Sequence, residues 1–212
     1  MKGWIATLVL TSIWSVASAQ YNADSSNNPD TPTSSWSIEP TVNFYFIPDD
    51  FFVLPIVTAD KNKLHLEARY NYEDRETFSF WAGYNFEGGN KLTYAITPMA
   101  GGVVGNSNGI APGLRFELGY RRWTLASETE FFFDLDENEN NFYYNWSDLT
   151  YSIRDWIWVG ISGQRTKAFQ SDLEIQYGLV VGASYKRWEL NTYTYNIGTS
   201  DTFFMAAISA SF

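Results

Sequence analysis

The last ten residues of the chain, 203–212, alternate in side-chain character. One face would carry Phe204, Ala206, Ile208, Ala210 and Phe212. The other face would carry Met205, Ala207, Ser209 and Ser211. A period of two residues is that of a β-strand, and a strand with one apolar face can stand between lipid and a more polar interior. This pattern predicts a β-sheet whose strands span a membrane.

The N-terminus has the parts of a secretory signal peptide. Lys2 provides a basic start, residues 4–16 form an apolar run, and the small residues at 17–19 form a cleavage site. The apolar run is shorter than the about 20 residues that a membrane-spanning helix needs. We therefore expect residues 1–19 to be removed on export. Residues 20–34 are polar and predict a disordered periplasmic tail, and residues 35–212 predict one membrane domain.

An alternating strand that ends in Phe212 resembles the C-terminal signature strand of bacterial outer-membrane proteins. The resemblance implies the bacterial outer membrane as location, lipid and lipopolysaccharide as surroundings, and Phe212 at the periplasmic end. The mean hydropathy of −0.26 is compatible with a barrel, because only alternate residues of each strand face lipid. The absence of cysteine excludes disulfides and thiolate metal sites. The formal net charge of −10 argues against nucleic acid as a partner.

Segments with strand character follow one another from residue 36 to the C-terminus. They are 36–47, 51–59, 63–73, 77–87, 91–102, 110–120, 123–135, 142–153, 156–166, 175–185, 188–197 and 202–212. Twelve is an even number, as bacterial single-chain barrels require. Pro55 weakens the second segment, so ten strands are an alternative. The predicted fold class is all-β, a monomeric up-and-down antiparallel transmembrane β-barrel.

Charged and aromatic residues are distributed unevenly between the two ends of this predicted barrel. Turns on the side of Phe212 hold the basic residues Lys61, Lys63, Lys91, Arg121, Arg122, Arg154, Lys186 and Arg187. The connections on the opposite side hold Asp49, Asp50, Glu73, Asp74, Glu76, Asp136, Glu137, Glu139, Asp172, Glu174 and Asp201. Aromatic residues beside the basic turns are Phe86, Tyr120, Trp123, Trp156, Tyr185, Trp188 and Phe212. They predict one aromatic girdle at the periplasmic interface.

The same alternation divides the wall into lipid-facing and lumen-facing side chains. The residues predicted to line the lumen are Glu39, His65, Glu67, Arg69, Asn71, Arg115, Glu117, Glu128, Glu130, Asp148 and Glu189. On segment 63–73 this parity places Tyr72 toward lipid. If Arg121-Arg122 is a two-residue turn, Arg115 lies opposite Glu128 and can form a cross-strand ion pair.

The excess of acidic over basic side chains inside predicts a narrow pore or solute channel that favours small cationic or polar solutes. A second hypothesis is a closed barrel, plugged by its own paired charges, with a structural or surface role. A count of twelve strands does not distinguish the two hypotheses. Side chains can fill the interior of a barrel of about 8 strands, whereas about 16–18 strands leave an aqueous channel.

A third hypothesis is a lipid-modifying enzyme. Residues 105–109 resemble the His-x-Ser-Asn-Gly motif of the outer-membrane phospholipase family at Ser107, Asn108 and Gly109, with Gly105 in the histidine position. Catalysis would then need His65 from another strand, so the catalytic constellation is incomplete and we expect no enzyme. The acidic run 134–140 lacks the glycine of a calcium loop. No metal or cofactor is expected.

Overall fold

The computed structural model describes residues 35–168 and 174–212. The predicted signal peptide and tail, residues 1–34, lie outside the described residues. The strands are β1 (Ser37–Ile47), β2 (Asp50–Lys61), β3 (Leu64–Tyr70), β4 (Thr77–Tyr84), β5 (Phe86–Gly89), β6 (Leu92–Gly105), β7 (Gly109–Tyr120), β8 (Trp123–Asp134), β9 (Phe142–Arg154), β10 (Ile157–Ala168), β11 (Glu174–Tyr185), β12 (Trp188–Tyr195) and β13 (Phe203–Ala210). A 3₁₀ helix, Asn138–Asn140, lies between β8 and β9. No helix among the described residues is long and apolar enough to cross a membrane.

These strands form one antiparallel sheet that closes on itself. Neighbours in the chain pair with one another, and β1 pairs with β13 to complete the barrel. Strands β4 and β5 both pair with β6 and are separated only by Asn85, so they act as one strand of the wall. The barrel therefore has twelve wall strands, as predicted.

Strand β2 runs without interruption through Pro55. Its pairing with β1 includes Pro55 opposite Val42, whereas its pairing with β3 begins only at Ile56. Pro55 thus lies where one side of the strand is no longer paired, a position that tolerates the missing N–H. The ten-strand alternative is wrong.

Short turns at one end of the barrel fix the register. Asn62, Arg121 and Lys186 have positive φ angles of 55°, 56° and 58°, and a positive φ is typical of two-residue turns that match the twist of a hairpin. The Arg121-Arg122 turn places Tyr120 opposite Trp123 and carries the predicted register along both strands.

The two faces of the wall differ in exposure as the alternation predicts. On β13, Phe204 is 56% exposed and Ile208 is 40% exposed, whereas Met205 and Ala207 are buried. Ala210 departs from the pattern, because it was expected outside and is buried. The outward side chains form an apolar belt around the barrel, and the inward ones pack against one another.

Several inward aromatic rings lie over glycines of a neighbouring strand, and Gly182 of β11 is the tightest example. It lies directly opposite Trp158 and Asn191, whose side chains are joined by a hydrogen bond of 3.0 Å from Trp158 Nε1 to Asn191 Oδ1. A Cβ at Gly182 would overlap both of these atoms. We expect Gly182→Ala to lower the free energy of unfolding by about 1–3 kcal/mol, because the interior would be overpacked.

Gly163 of β10 provides the matched control. A Cβ there meets no atom within 4 Å, and the backbone does not require glycine. Gly163→Ala should change the free energy of unfolding by less than about 1 kcal/mol. Urea unfolding of both variants in lipid vesicles, followed by tryptophan fluorescence, measures the difference. Equal losses at the two sites would contradict the packing of Trp158 on Gly182.

Candidate functional site

A group of charged side chains fills one half of the barrel interior. We call it the charged cluster; it consists of Asp60, His65, Glu67, Arg69, Arg115, Glu128 and Glu130. Their strands are β2, β3, β7 and β8. Five of the side chains are buried, and Asp60 and Arg115 join them through contacts with His65 and Glu67 on the inner face of the wall. Alternation in each strand explains this, since every second residue of β3 from His65 to Arg69 must face inward. Six of these seven side chains were predicted to line the lumen.

Arg69 is the centre of the charged cluster. Its Nε and Nη2 lie 2.6 Å from Glu67 Oε2, and Nη2 lies 3.1 Å from Glu128 Oε1. Its Nη1 is 3.4 Å from Glu130 Oε2. Because β4, β6 and β7 separate β3 from β8 in the wall, the contacts with Glu128 and Glu130 cross the interior. Arg69 is only 1% exposed, so this ionic link is shielded from water.

The guanidinium of Arg69 lies over two aromatic rings. Its Cζ lies 4.1 Å from the ring centroid of Tyr72 and 4.5 Å from that of Trp81. The hydroxyl of Tyr72 also donates a hydrogen bond of 2.7 Å to Glu128 Oε1. Cation–π attraction is strongest where water is excluded. The two rings therefore stabilise the positively charged guanidinium in this position.

Arg115 forms the second link of the charged cluster. It lies opposite Glu128 in the β7–β8 pairing, as predicted, and its Nε is 4.0 Å from Glu128 Oε2. Its Nη1 also forms an ion pair with Glu67 and lies 3.1 Å from His65 Nε2. Glu67 is therefore shared by two arginines on different sides of the interior.

His65 is held between two carboxylates. Its Nδ1 lies 2.8 Å from Asp60 Oδ1 and its Nε2 lies 2.7 Å from Glu67 Oε1. Asn85, at the break between β4 and β5, donates a hydrogen bond of 2.7 Å to the same Asp60 oxygen. Among the described residues, the imidazole ring contacts these two carboxylates and Arg115, and it contacts no serine hydroxyl.

The phospholipase-like residues lie at the other end of the barrel. Ser107 Oγ donates a hydrogen bond of 2.9 Å to Asp74, and its backbone lies beside Thr77 at the start of β4. His65 lies opposite Gly83, six residues further along β4, which corresponds to about 20 Å at the rise of a strand. The structure does not bring His65 and Ser107 together, so the catalytic arrangement is not formed.

The other half of the interior is mainly aromatic and neutral. Its buried side chains are Tyr45, Leu54, Ile56, Tyr144, Trp146, Val180, Tyr193, Tyr195, Phe203, Met205 and Ala207. Tyr72 packs with them and also contacts Arg69, so it connects the two halves. Asp148 is embedded there, accepting hydrogen bonds of 2.6 Å from Trp146 Nε1 and 3.0 Å from Tyr193 OH. Neutral donors, rather than a cation, satisfy these carboxylate oxygens.

The remaining predicted side chains lie away from the charged cluster. Glu189 is buried and accepts a hydrogen bond of 2.7 Å from Asn191. Glu39 is half-buried and accepts one of 2.8 Å from Ser211, while Glu117 is half-buried on β7. They extend the acidic character of the inner face toward the end that carries the basic turns.

The end of β3 differs from the sequence-based expectation. The strand stops at Tyr70, and Asn71 has a positive φ of 59°. Asn71, expected on the inner face, lies in the turn, where it donates a hydrogen bond to the Val53 carbonyl and accepts one from the Glu76 N–H. The chain reversal then turns Tyr72 inward, although parity had assigned it to lipid.

Glu73 was expected in a connection at the end opposite Phe212, but its side chain is buried, at 2% exposure. Its Oε1 lies 3.3 Å from Trp81 Nε1, beside the charged cluster. Burial raises the pKa of the Glu73 carboxyl. Strand alternation does not predict the burial of Glu73, because the strand ends before it. Asn71 was the available sign of that end, since asparagine tolerates a positive φ.

Side chains occupy the middle of the barrel interior. Arg69, Glu130, Tyr45 and Tyr144 are each at most 1% exposed, although they come from opposite parts of the wall. A path along the axis would therefore have to pass between these side chains. Within the charged cluster, four carboxylates lie together with two arginines and one histidine.

Comparison with solved structures shows barrels of similar fold. The KdgM porin superposes with a TM-score of 0.61 at 16% identity, covering 83% of this chain and 99% of that chain. The same porin in complex with disordered oligogalacturonate gives 0.61 at 15% identity, with 83% and 99% covered. The Acinetobacter baumannii outer membrane protein Omp33 gives 0.51 at 11% identity, with 84% and 98% covered.

No protein-family model matches the sequence, and no curated protein matches it. Sequence identities this low establish similarity of fold only. Within that limit, the twelve-stranded closed barrel and its structural neighbours agree with the C-terminal signature of the sequence. The chain has the fold of bacterial outer-membrane porins.

Proposed function

We propose that the protein is a monomeric channel of the bacterial outer membrane that passes small polar solutes and favours cations over anions. The observation that carries this proposal is the meeting of four carboxylates with two arginines and one histidine in the charged cluster, inside the barrel. Carboxylates that line a constriction lower the energy of a cation there and raise that of an anion. The residues predicted from sequence to line the lumen supply these charges.

Similarity to porins supports a channel, whereas the charge of the interior determines which solutes we propose for it. One neighbour is described in complex with oligogalacturonate, which is a polyanion. In the present chain, Glu67, Glu128 and Glu130 would repel a polyanion, and both arginines among them are already paired. We therefore propose small cationic or neutral polar solutes instead.

A closed barrel is the second candidate, and the burial of the charged cluster favours it. Ion pairs from Arg69 to Glu128 and Glu130 cross the interior, and the three side chains are at most 2% exposed. In a channel, these side chains must leave room for a file of water and ions. In a closed barrel, they form a permanent plug.

Single-channel recording in a planar bilayer separates the two candidates. We expect resolved current steps in KCl that are much smaller than those of porins with about 16–18 strands, because side chains narrow the interior. Protein that has not been refolded, in the same detergent, is the control for leakage. Absence of current from folded barrels would exclude the channel and leave the closed barrel.

A further inference from the structure

One end of the barrel carries a ring of basic residues that we call the basic rim. Its members are Lys61, Lys63, Lys91, Arg121, Arg122, Arg154, Lys186 and Arg187, eight of the 14 lysines and arginines of the sequence. They occupy the turns, or the strand ends beside them, after β2, β5, β7, β9 and β11. None of them forms a salt bridge with a carboxylate in the part of the chain that the structure describes.

Five cations of the basic rim lie over aromatic rings. The pairs and distances to the ring centroid are Lys61 with Trp36 at 5.7 Å, Lys63 with Tyr84 at 5.7 Å, Arg121 with Tyr120 at 5.2 Å, Lys186 with Tyr185 at 5.3 Å, and Arg187 with Phe212 at 5.0 Å. These rings are all on the outer surface, from 42% exposed for Trp36 to 72% for Tyr185. The cations are thereby held beside the lateral surface, at the level where interfacial aromatic residues meet headgroups.

Two arginines of the basic rim converge on one point. Arg122 and Arg154 both donate hydrogen bonds to the carbonyl of Ile153, at 3.1 and 3.4 Å. Asp155, the neighbouring acidic residue, forms no salt bridge among the described residues. Two guanidiniums within reach of one oxygen, neither of them in a salt bridge among the described residues, form a favourable environment for a phosphate group.

The opposite end of the barrel has the reverse charge. Its exposed turns carry Asp49, Asp50, Asp74, Glu76, Asp136, Glu137 and Asp201. Arg75 at that end forms an ion pair with Asp50. Among the described residues, basic side chains without a carboxylate partner are thus concentrated at one end of the barrel. Contact with water alone would not require this uneven distribution.

We propose that the basic rim binds the phosphate headgroups of anionic phospholipids in the leaflet that surrounds it, with Arg122 and Arg154 as the main contact. The lateral position of the stacked cations favours a lipid over a soluble acidic protein, which would approach along the barrel axis. Each basic residue near an anionic membrane surface contributes about 1 kcal/mol to such binding. The proposal rests on the barrel lying in a bilayer and is independent of conduction.

Tryptophan fluorescence can report on this end alone. The four exposed tryptophans among the described residues, Trp36, Trp123, Trp156 and Trp188, all lie beside the basic rim. The buried ones are Trp81, Trp146 and Trp158. The refolded barrel is placed in phosphatidylcholine vesicles that contain either dibrominated phosphatidylglycerol or dibrominated phosphatidylcholine at equal mole fraction. Bromine quenches only the tryptophans that it contacts.

We expect the brominated anionic lipid to associate about fivefold more strongly than the neutral one. The double variant Arg122→Gln and Arg154→Gln should bring this ratio close to one, whereas Arg122→Lys and Arg154→Lys should retain part of it. Arg165→Gln is the matched control, because Arg165 also lies over a tyrosine, Tyr143 at 6.0 Å, but away from the basic rim. It should leave the ratio unchanged.

The outcomes are distinct. Equal quenching by both brominated lipids, or the same loss in Arg165→Gln as in the double variant, would overturn the proposal while leaving the channel possible. Quenching by neither lipid would show that the barrel is not in the bilayer, and the membrane location would fail with it. A misfolded double variant would be recognised by its unfolding curve, and the lysine variants would then carry the comparison.

Discussion

Replacement of Arg69 by methionine is expected to lower the free energy of unfolding by about 3–5 kcal/mol. Methionine keeps much of the volume between Tyr72 and Trp81 but removes the charge. Glu67, Glu128 and Glu130 would then remain in the barrel interior without the cation that all three contact. An uncompensated buried charge is far more costly than the loss of an exposed ion pair.

Arg75→Met provides the comparison, because it removes another arginine only six residues away. The ion pair of Arg75 with Asp50 has both side chains about half-exposed, at 52% and 41%. Such a pair contributes about 0–1 kcal/mol. Urea unfolding of the two variants in the same vesicles tests this difference. Similar losses for Arg69→Met and Arg75→Met would show that Arg69 is not the electrostatic centre of the interior.

Conversion of Glu128 and Glu130 to glutamine is expected to abolish or reverse the preference for cations. These two side chains contact Arg69 inside the barrel, and their removal would leave Arg69 and Arg115 facing Glu67 as the nearest carboxylate. Electrostatic barriers at a constriction act on an ion that has lost part of its hydration, so two charges there have a large effect. The reversal potential in a KCl gradient measures the change.

A variant that removes the same number of charges from the turns is the control. Asp49→Asn and Asp201→Asn act on exposed residues at the end opposite the basic rim, where salt screens charges beyond about 10 Å. Asparagine also tolerates the positive φ of 63° at Asp49. The control should retain the wild-type preference. If it shifts the reversal potential as much as the glutamine variant does, selectivity is not set at the charged cluster.

The fold could be predicted from sequence because its rules are local. Strand alternation and turn residues were sufficient to identify twelve wall strands, and the Arg121-Arg122 turn placed Arg115 opposite Glu128. Even the strand containing Pro55 was located correctly. These features depend on neighbours along the chain or on one adjacent strand.

The centre of the charged cluster could not be predicted in the same way. The contacts of Arg69 with Glu128 and Glu130 cross the interior between strands that are not neighbours. Such contacts depend on the tilt and stagger of the closed barrel, which alternation does not reveal. Tyr72 was misplaced for a different reason, since the positive φ of Asn71 ends the strand and its parity.

The reversal potential of the wild-type barrel across a KCl gradient tests the central claim most directly. The proposal predicts resolved single-channel currents with a reversal potential of the sign that indicates K⁺ passing more readily than Cl⁻. The acidic excess of the charged cluster is the physical reason. A reversal potential of the opposite sign, or no current from folded protein, would contradict the proposed cation-favouring channel.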